Sequence, residues 1–261
     1  PAAPPVPIRP CSAVAMSRRF RQQGWGNILL NNNPETVSTD HDVVGRLYFD
    51  EVTLERVLDI WEFECPEGVV LSTGGQHSNQ LAKPLHDAGA KLLGHSADTI
   101  ARAEDREKFS SLLDTLSIAQ PPWITSRDLV AAREFASVTG YPVLVRPSHV
   151  LSGSSMQVAV NESALDAAMK EAALCSEGPV VVSRFIVDAA EIEVDGVAAG
   201  GSVSAMLISE HLEYAGVHSG DATLVSPTQS LSAENRALVQ DVTRKIARGL
   251  DLNDPFNIQF L

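Results

Sequence analysis

The sequence predicts an α/β fold in two parts, a parallel α/β layer followed by an α+β module. Three observations predict it. Over residues 26–96 short apolar runs alternate with amphipathic segments, the order that gives parallel strands joined by crossover helices. Over 121–185 the order becomes strand, helix, strand, loop, strand, helix and strand. Two longer β runs then follow with a short connection between them, which suits antiparallel pairing.

The opening PAAPPVPIRP, residues 1–10, holds five prolines and reads as a flexible lead-in, because proline supplies no N–H to a helix or an inner strand. A helix is expected over 11–23, with Arg18, Arg19 and Arg21 on a basic face and Gly24 as its stop. Strands are expected at 26–31, 46–50, 68–73 and 90–96, and helices at 53–64 and 79–87. One helix over 103–116 opens with Glu104 and Asp105, as its dipole prefers. After Pro121-Pro122-Trp123 come a helix at 127–139, strands at 142–145 and 156–160, a helix at 163–174 and a strand at 179–185. The long β runs fall at 191–197 and 202–213. Ser232 is placed to cap a helix that ends at Leu250. The last stretch, 256–261, has the pattern of a strand, so the sequence is expected to be cut from a longer one at this end.

Composition excludes several classes. A net charge of −13 argues against a broad nucleic-acid surface, which needs clustered Lys and Arg. No run approaches the roughly 18 apolar residues of a membrane span, so neither nucleic acid nor membrane is an expected partner. Cys11, Cys65 and Cys175 lie far apart without CxxC spacing, which indicates neither a disulfide framework nor a zinc site.

The stretch with the most chemistry is 210–224, EHLEYAGVHSGDATL. Glu210 and His211 sit on an apparent strand, and a turn then brings Gly216, Val217, His218, Ser219 and Asp221 together. Its glycines allow close backbone approach to a ligand and its polar side chains supply donors and acceptors; a long polar hairpin loop is an equal reading of the turn alone. Arg146 ends PVLVR beside the small-residue loop 151–155, a place to hold phosphate oxygens, although a surface arginine next to a turn fits the spacing as well. In 182–191 an extended segment is followed by Glu191, so backbone edges can read a base while a carboxylate accepts from a ribose. Gln259 lies on a strand between Ile258 and Phe260, facing a site or simply alternating outward. At predicted strand ends, Asn31 to Thr36 and Gly74-Gly75-Gln76 read equally as ligand loops and as turn punctuation.

Taken together, NNNPETVSTD, GGQ, AEDREKFS, PVLVRPSHVLSGSSM, EIEVD and ISEHLEYAGVHSGDATLVSPTQ resemble the carbamoyl phosphate synthetase family, specifically its C-terminal synthetase half in eukaryotic form. The resemblance covers nearly all of 11–261. VSTD after NPET and AGVHSGD in the turn are similar to the half that phosphorylates carbamate rather than the half that activates bicarbonate.

The resemblance implies a pre-ATP-grasp domain over 11–102 and an ATP-grasp domain over 103–261, both incomplete, with a small lid module at about 121–183. It makes Arg146 a phosphate contact and gives Arg146 and His218 catalytic roles. Arg184, Ile186 and Glu191 become the adenosine side, Gly216, Val217, His218 and Ser219 the nucleotide turn, and Gln259 a ligand of Mg²⁺ or Mn²⁺ bridging the phosphates. Two further metal ligands, a Glu and an Asn, are expected beyond Leu261, so the 261-residue piece is expected to be inactive alone. Implied partners are ATP, carbamate, a glutamine amidotransferase domain or subunit and the N-terminal synthetase half. The pathway is pyrimidine or arginine/urea biosynthesis. The compartment is cytoplasmic, with mitochondrial as the alternative. Competing readings are another ATP-grasp carboxylate–amine ligase and a non-catalytic nucleotide-binding module.

Overall fold

The computed structural model describes residues 10–147, 156–175, 178–215 and 221–261. The chain divides into two units, 1–100 and 101–261. In the first, helix α1 (Pro10–Gln22) ends before Gly24, whose φ of +81° makes the stop that a residue with a Cβ resists. Strands β1 (Ile28–Asn31) and β2 (Arg46–Phe49) pair in parallel. Val14, Val43 and Val44 form a buried cluster against Leu29 and Leu47.

Helix α2 (Leu54–Glu64) begins where the Thr53 hydroxyl accepts from the Arg56 N–H. Strand β3 (Val69–Val70) is followed by two short helices, α3 (Gly75–Gln80) and α4 (Ala82–Asp87), and then by β4 (Leu92–Leu93), parallel to β3. The sequence predicts one helix over 79–87. The structure starts helical backbone earlier, at Gly75, whose φ of +65° admits the sharp turn out of the strand.

Helix α5 (Ala97–Glu104) spans the division between the units, and α6 (Arg106–Thr115) follows after one residue. The single helix expected over 103–116 is thus corrected to two. Asp105 leaves the helical path, and its carboxylate accepts from the Glu107 and Lys108 N–H groups as an N-cap.

Among its described residues the second unit holds two antiparallel four-stranded sheets. One has the order β5-β8-β6-β7, from β5 (Trp123–Ser126), β6 (Val143–Pro147), β7 (Gln157–Ala159) and β8 (Val180–Arg184). Helices α7 (Leu129–Thr139) and α8 (Glu162–Cys175) cover one of its faces, where Ala132, Ala136, Leu165 and Ala172 pack on Val143, Val145, Val180 and Val182. The other sheet has the order β11-β10-β9-β12, from β9 (Ala190–Ala199), β10 (Ser202–Tyr214), β11 (Leu224–Val225) and β12 (Pro255–Phe260). Helix α9 (Ala233–Leu250), capped by Ser232, lies on one face of this sheet: Val239 packs with Ile192 and Val194, and Ile246 and Leu250 pack with Phe256 and Ile258. Among the described residues no helix is long and apolar enough to cross a membrane.

Candidate nucleotide site

Because side chains alternate along a strand, the face of the long sheet turned from α9 receives Glu191, Glu193 and Asp195 from β9. Register adds Asn257 opposite Asp195 and Gln259 opposite Glu193 from β12. Glu193 is only 1% exposed, so each of its oxygens needs a donor. Its Oε1 accepts from the Asn257 amide at 2.5 Å, and its Oε2 shares a hydrogen bond with His211 Nε2 at 3.2 Å. The Asn257 amide also donates to Asp195 at 3.0 Å and so ties β12 to β9 through side chains as well as backbone.

His211 reaches this place because the β9–β10 ladder bulges. Ile192 pairs with Glu210 and Ala190 with Tyr214, so His211, Leu212 and Glu213 stand opposite Glu191 alone. The imidazole is buried between the two glutamates, with Nδ1 at 3.9 Å from Glu191 Oε2, too far for a hydrogen bond. That Nδ1 has no partner among the described residues. Glu191 itself is 7% exposed at the margin of the group.

Arg146 is not the surface arginine that its strand-end position allows. On β6 it stands opposite Val181, on the face of its sheet turned from α7 and α8, and its Nε is buried without a partner among the described residues. One long bond, at 3.4 Å, joins its Nη2 to Ser183 Oγ. Burial, and then the positive charge of Arg106, push its pKa down to about 10, which still leaves it charged at neutral pH. Burial lowers Arg106 as well. Two guanidinium groups that are both desolvated and repel each other make a place where an anion is favoured.

After β8 the chain continues through Phe185 and Ile186, outside any strand. The Arg184 N–H is taken by the Pro122 carbonyl and the Phe185 N–H by the Pro142 carbonyl, each at 3.0 Å. Pro122 has no N–H to return, so the Arg184 carbonyl meets no ladder donor from that residue. The Arg184 side chain is exposed and Ile186 half-buried.

Of the residues singled out in the sequence, Glu191 and Gln259 thus share one sheet face, whereas Arg146, Arg184 and Ile186 belong to the other sheet and the chain leaving it. Gly216, Val217, His218 and Ser219 lie outside the described residues. Glu210 points to the α9 side and anchors the loop before that helix, accepting from the N–H groups of Gln229 at 2.8 Å and Ser230 at 3.0 Å and from the Ser230 hydroxyl at 2.8 Å. The Gln229 bond, ahead of those from Ser230, holds its carboxyl below the usual range.

Sequence reasoning missed Arg106, Glu193 and Asn257. The alternation in EIEVD puts Glu193 on the face of Glu191, but nothing in the local pattern joins Arg106 to Arg146. Among the described residues no three His, Cys, Asp or Glu side chains gather to hold a metal. Gln259 is exposed, while both Glu193 oxygens are engaged, so these donors alone do not fit a magnesium site.

Two family profiles match the chain: carbamoyl phosphate synthase preATP-grasp domain over residues 10–102, and carbamoyl-phosphate synthase L chain, ATP binding domain, over residues 105–261. The arginine-specific carbamoyl phosphate synthase large chain of Eremothecium gossypii is 47% identical over 250 residues, covering 95% of this chain and 22% of that one. The mitochondrial ammonia-type carbamoyl-phosphate synthase of Rattus norvegicus is 50% identical over 250 residues, covering 95% of this chain and 17% of its own length. The chain therefore spans about a fifth of the curated relatives it matches. Among solved structures, the biotin carboxylase domain of Hydrogenobacter thermophilus 2-oxoglutarate carboxylase, in complex with MgADP, ADP and bicarbonate, is similar in fold. Its TM-score is 0.77 at 17% identity, over 96% of this chain and 58% of that one.

Proposed function

This chain belongs to the carbamoyl-phosphate synthase large-chain family, and from that premise we propose that it is part of an ATP-dependent ligase and carries the half that phosphorylates carbamate. The unit 1–100 corresponds in this reading to the pre-ATP-grasp domain expected over 11–102, and 101–261 to the ATP-grasp domain expected over 103–261. The module of β5 to β8 with α7 and α8 serves as the lid over ATP, and the polar face bearing Glu191 and Gln259 as the floor.

The observation that carries the reading is Arg146, a charged group with a buried donor that has no partner among the described residues, next to a second desolvated cation. Phosphate oxygens supply what the Arg146 Nε lacks. Glu191 accepts from the ribose hydroxyls, and the Arg184 carbonyl with the Ile186 N–H presents an acceptor and a donor to the adenine edge. The turn at Gly216, Val217, His218 and Ser219 contacts the nucleotide. Magnesium or manganese bound together with ATP would supply neutralisation of phosphate charge. Gln259 would offer one oxygen to it, which with the other described residues does not by itself make a magnesium site.

Carbamate attacks the γ-phosphorus in line as ADP leaves, and no protein side chain becomes covalently attached. What the described residues do is orient the nucleotide, place positive charge at the oxygens that gain charge, and keep water away from labile intermediates. The amidotransferase, the N-terminal synthetase half, a pyrimidine or arginine/urea pathway and a cytoplasmic or mitochondrial location belong to the same proposal.

Calorimetric titration with MgATP tests it. Arg146→Gln is expected to weaken binding about 10- to 100-fold, the size of one charge-assisted contact, with the melting temperature little changed. Equal affinity in the two proteins, or no binding in either, overturns the reading.

A further inference from the structure

Resting on that reading, we propose that His211 is a positioning residue for Glu191: its imidazole, itself held by Glu193, stands behind the Glu191 carboxylate and keeps it turned to the margin where the ribose is expected. It acts through Glu191 and needs no contact with the nucleotide.

The ring is held before any ligand arrives. Asn257 occupies Glu193 Oε1, and the buried carboxylate needs a donor at Oε2 as well, so the hydrogen of the 3.2 Å bond sits on His211 Nε2. Ser209 is the ladder partner of Glu193, which makes His211 its diagonal neighbour, and the bond draws the ring across the strand pair. The His211 side chain is fully buried, so the ring has no solvent to turn into. Its other edge meets Glu191 Oε2, with Nδ1 at 3.9 Å, the distance of packed atoms rather than of a hydrogen bond. Nδ1 has no partner among the described residues, so no described bond draws that edge away from Glu191.

Glu191 needs such a backing more than Glu193 does. Glu193 lies inside the ladder with both of its oxygens bonded. Glu191 falls between the Ile192–Glu210 and Ala190–Tyr214 pairs, within the bulge, where no residue of β10 pairs with it one to one. A glutamate there with nothing behind it can fold back over the sheet or swing outward, and binding a ribose then costs the ordering of that side chain. The packed ring removes the folded-back orientations beforehand, so part of that ordering is already done in the empty site.

Calorimetric titration of the chain with MgATP, and with the magnesium complex of 2′,3′-dideoxy-ATP, which lacks both ribose hydroxyls, tests the role. The unsubstituted chain should prefer ATP by about tenfold or more. His211→Gln keeps an amide donor for Glu193 and removes the ring. It is expected to weaken ATP binding about fivefold to tenfold, while dideoxy-ATP stays within about twofold. Glu191→Gln should lose the same preference, and adding His211→Gln to it should weaken ATP by less than about twofold more, because both substitutions break one interaction. His211→Asn, which places a smaller amide there, is expected to behave as His211→Gln does and takes its place if that variant does not fold.

Equal losses for both nucleotides in His211→Gln and His211→Asn, or failure of both variants to fold, mark a residue that only supports the sheet and overturn the role. It is equally overturned if both variants keep the full preference for ATP, or if the losses from His211→Gln and Glu191→Gln add in the double variant. All of these leave the nucleotide reading standing. An unsubstituted chain that takes neither nucleotide overturns that reading, and the role of His211 falls with it. One that binds both nucleotides equally overturns the assignment of Glu191 to the ribose, and the role falls with that assignment.

Discussion

The two four-stranded sheets of the second unit have the same strand count and the same antiparallel pairing, yet they distribute side chains differently. In the sheet under α7 and α8, Val180, Val181, Val182 and Ser183 are all buried, so β8 is covered on both faces. That is the pattern of a strand whose stability comes from apolar area, with about 1.5–3 kcal/mol for each fully buried valine. In the long sheet the buried apolar side chains lie on the α9 side. The other side buries Glu193 and His211, and places Glu191 at the margin. An apolar face tolerates small adjustments in position, whereas a buried carboxylate requires donors at fixed distances. The long sheet is for that reason the more sharply specified of the two, and it carries Glu191 and Gln259, whereas the other sheet carries Arg146 and Arg184.

The largest effect should come from breaking the polar face. Glu193→Ala leaves His211 without its hydrogen-bond partner in a buried place and reduces the side-chain tie from β12 to the Asn257 bond to Asp195, so a loss of about 3 kcal/mol is expected by urea unfolding. MgATP affinity should fall with it, because Gln259 and Glu191 flank the same residue. Glu193→Gln, which keeps an acceptor for His211, should lose less than half as much. Val182→Ala in the other sheet is expected to cost about 2 kcal/mol while affinity changes less than twofold. Should the valine substitution lower affinity as much as the glutamate one, the division of labour between the sheets is wrong.

The sequence made much of this legible. The alternation of strand and helix, the Ser232 cap and the period of two through Phe256, Ile258 and Phe260 all reappear, because local pattern and tertiary packing agree there. The two-helix break at Asp105 is hidden because an amphipathic pattern runs through it, and only the cap geometry separates α5 from α6. Arg146 is ambiguous in the sequence because burial of a strand-end arginine depends on what faces Val181 and on Arg106, a residue forty positions earlier. The bulge opposite Glu191 contains no glycine or proline to announce it. It is set by pairing with β9, and so the placement of His211 and Glu213 could not be read from 210–214 alone.

The smallest expected effect separates the two sides of the long sheet by pH. Glu210, on the α9 side, has its carboxyl held below the ordinary value by the Gln229 N–H first and by the Ser230 groups after it. A carboxyl whose folded pKa is depressed adds stability that is fully present above its unfolded value, about 4.3, and is lost as pH falls through the folded value. Thermal melting should accordingly be insensitive to this group from pH 8 to about pH 5.5, and the stability it adds should disappear on further acidification. Glu210→Gln should lower the melting temperature at neutral pH by a few degrees and flatten part of the acid limb. MgATP affinity at neutral pH should be unaffected, since Glu210 faces α9 rather than Glu191. An acid limb identical in the two proteins would show that the bonds to Gln229 and Ser230 do not hold in solution. A loss of affinity in Glu210→Gln would instead mean that the two faces of this sheet act together.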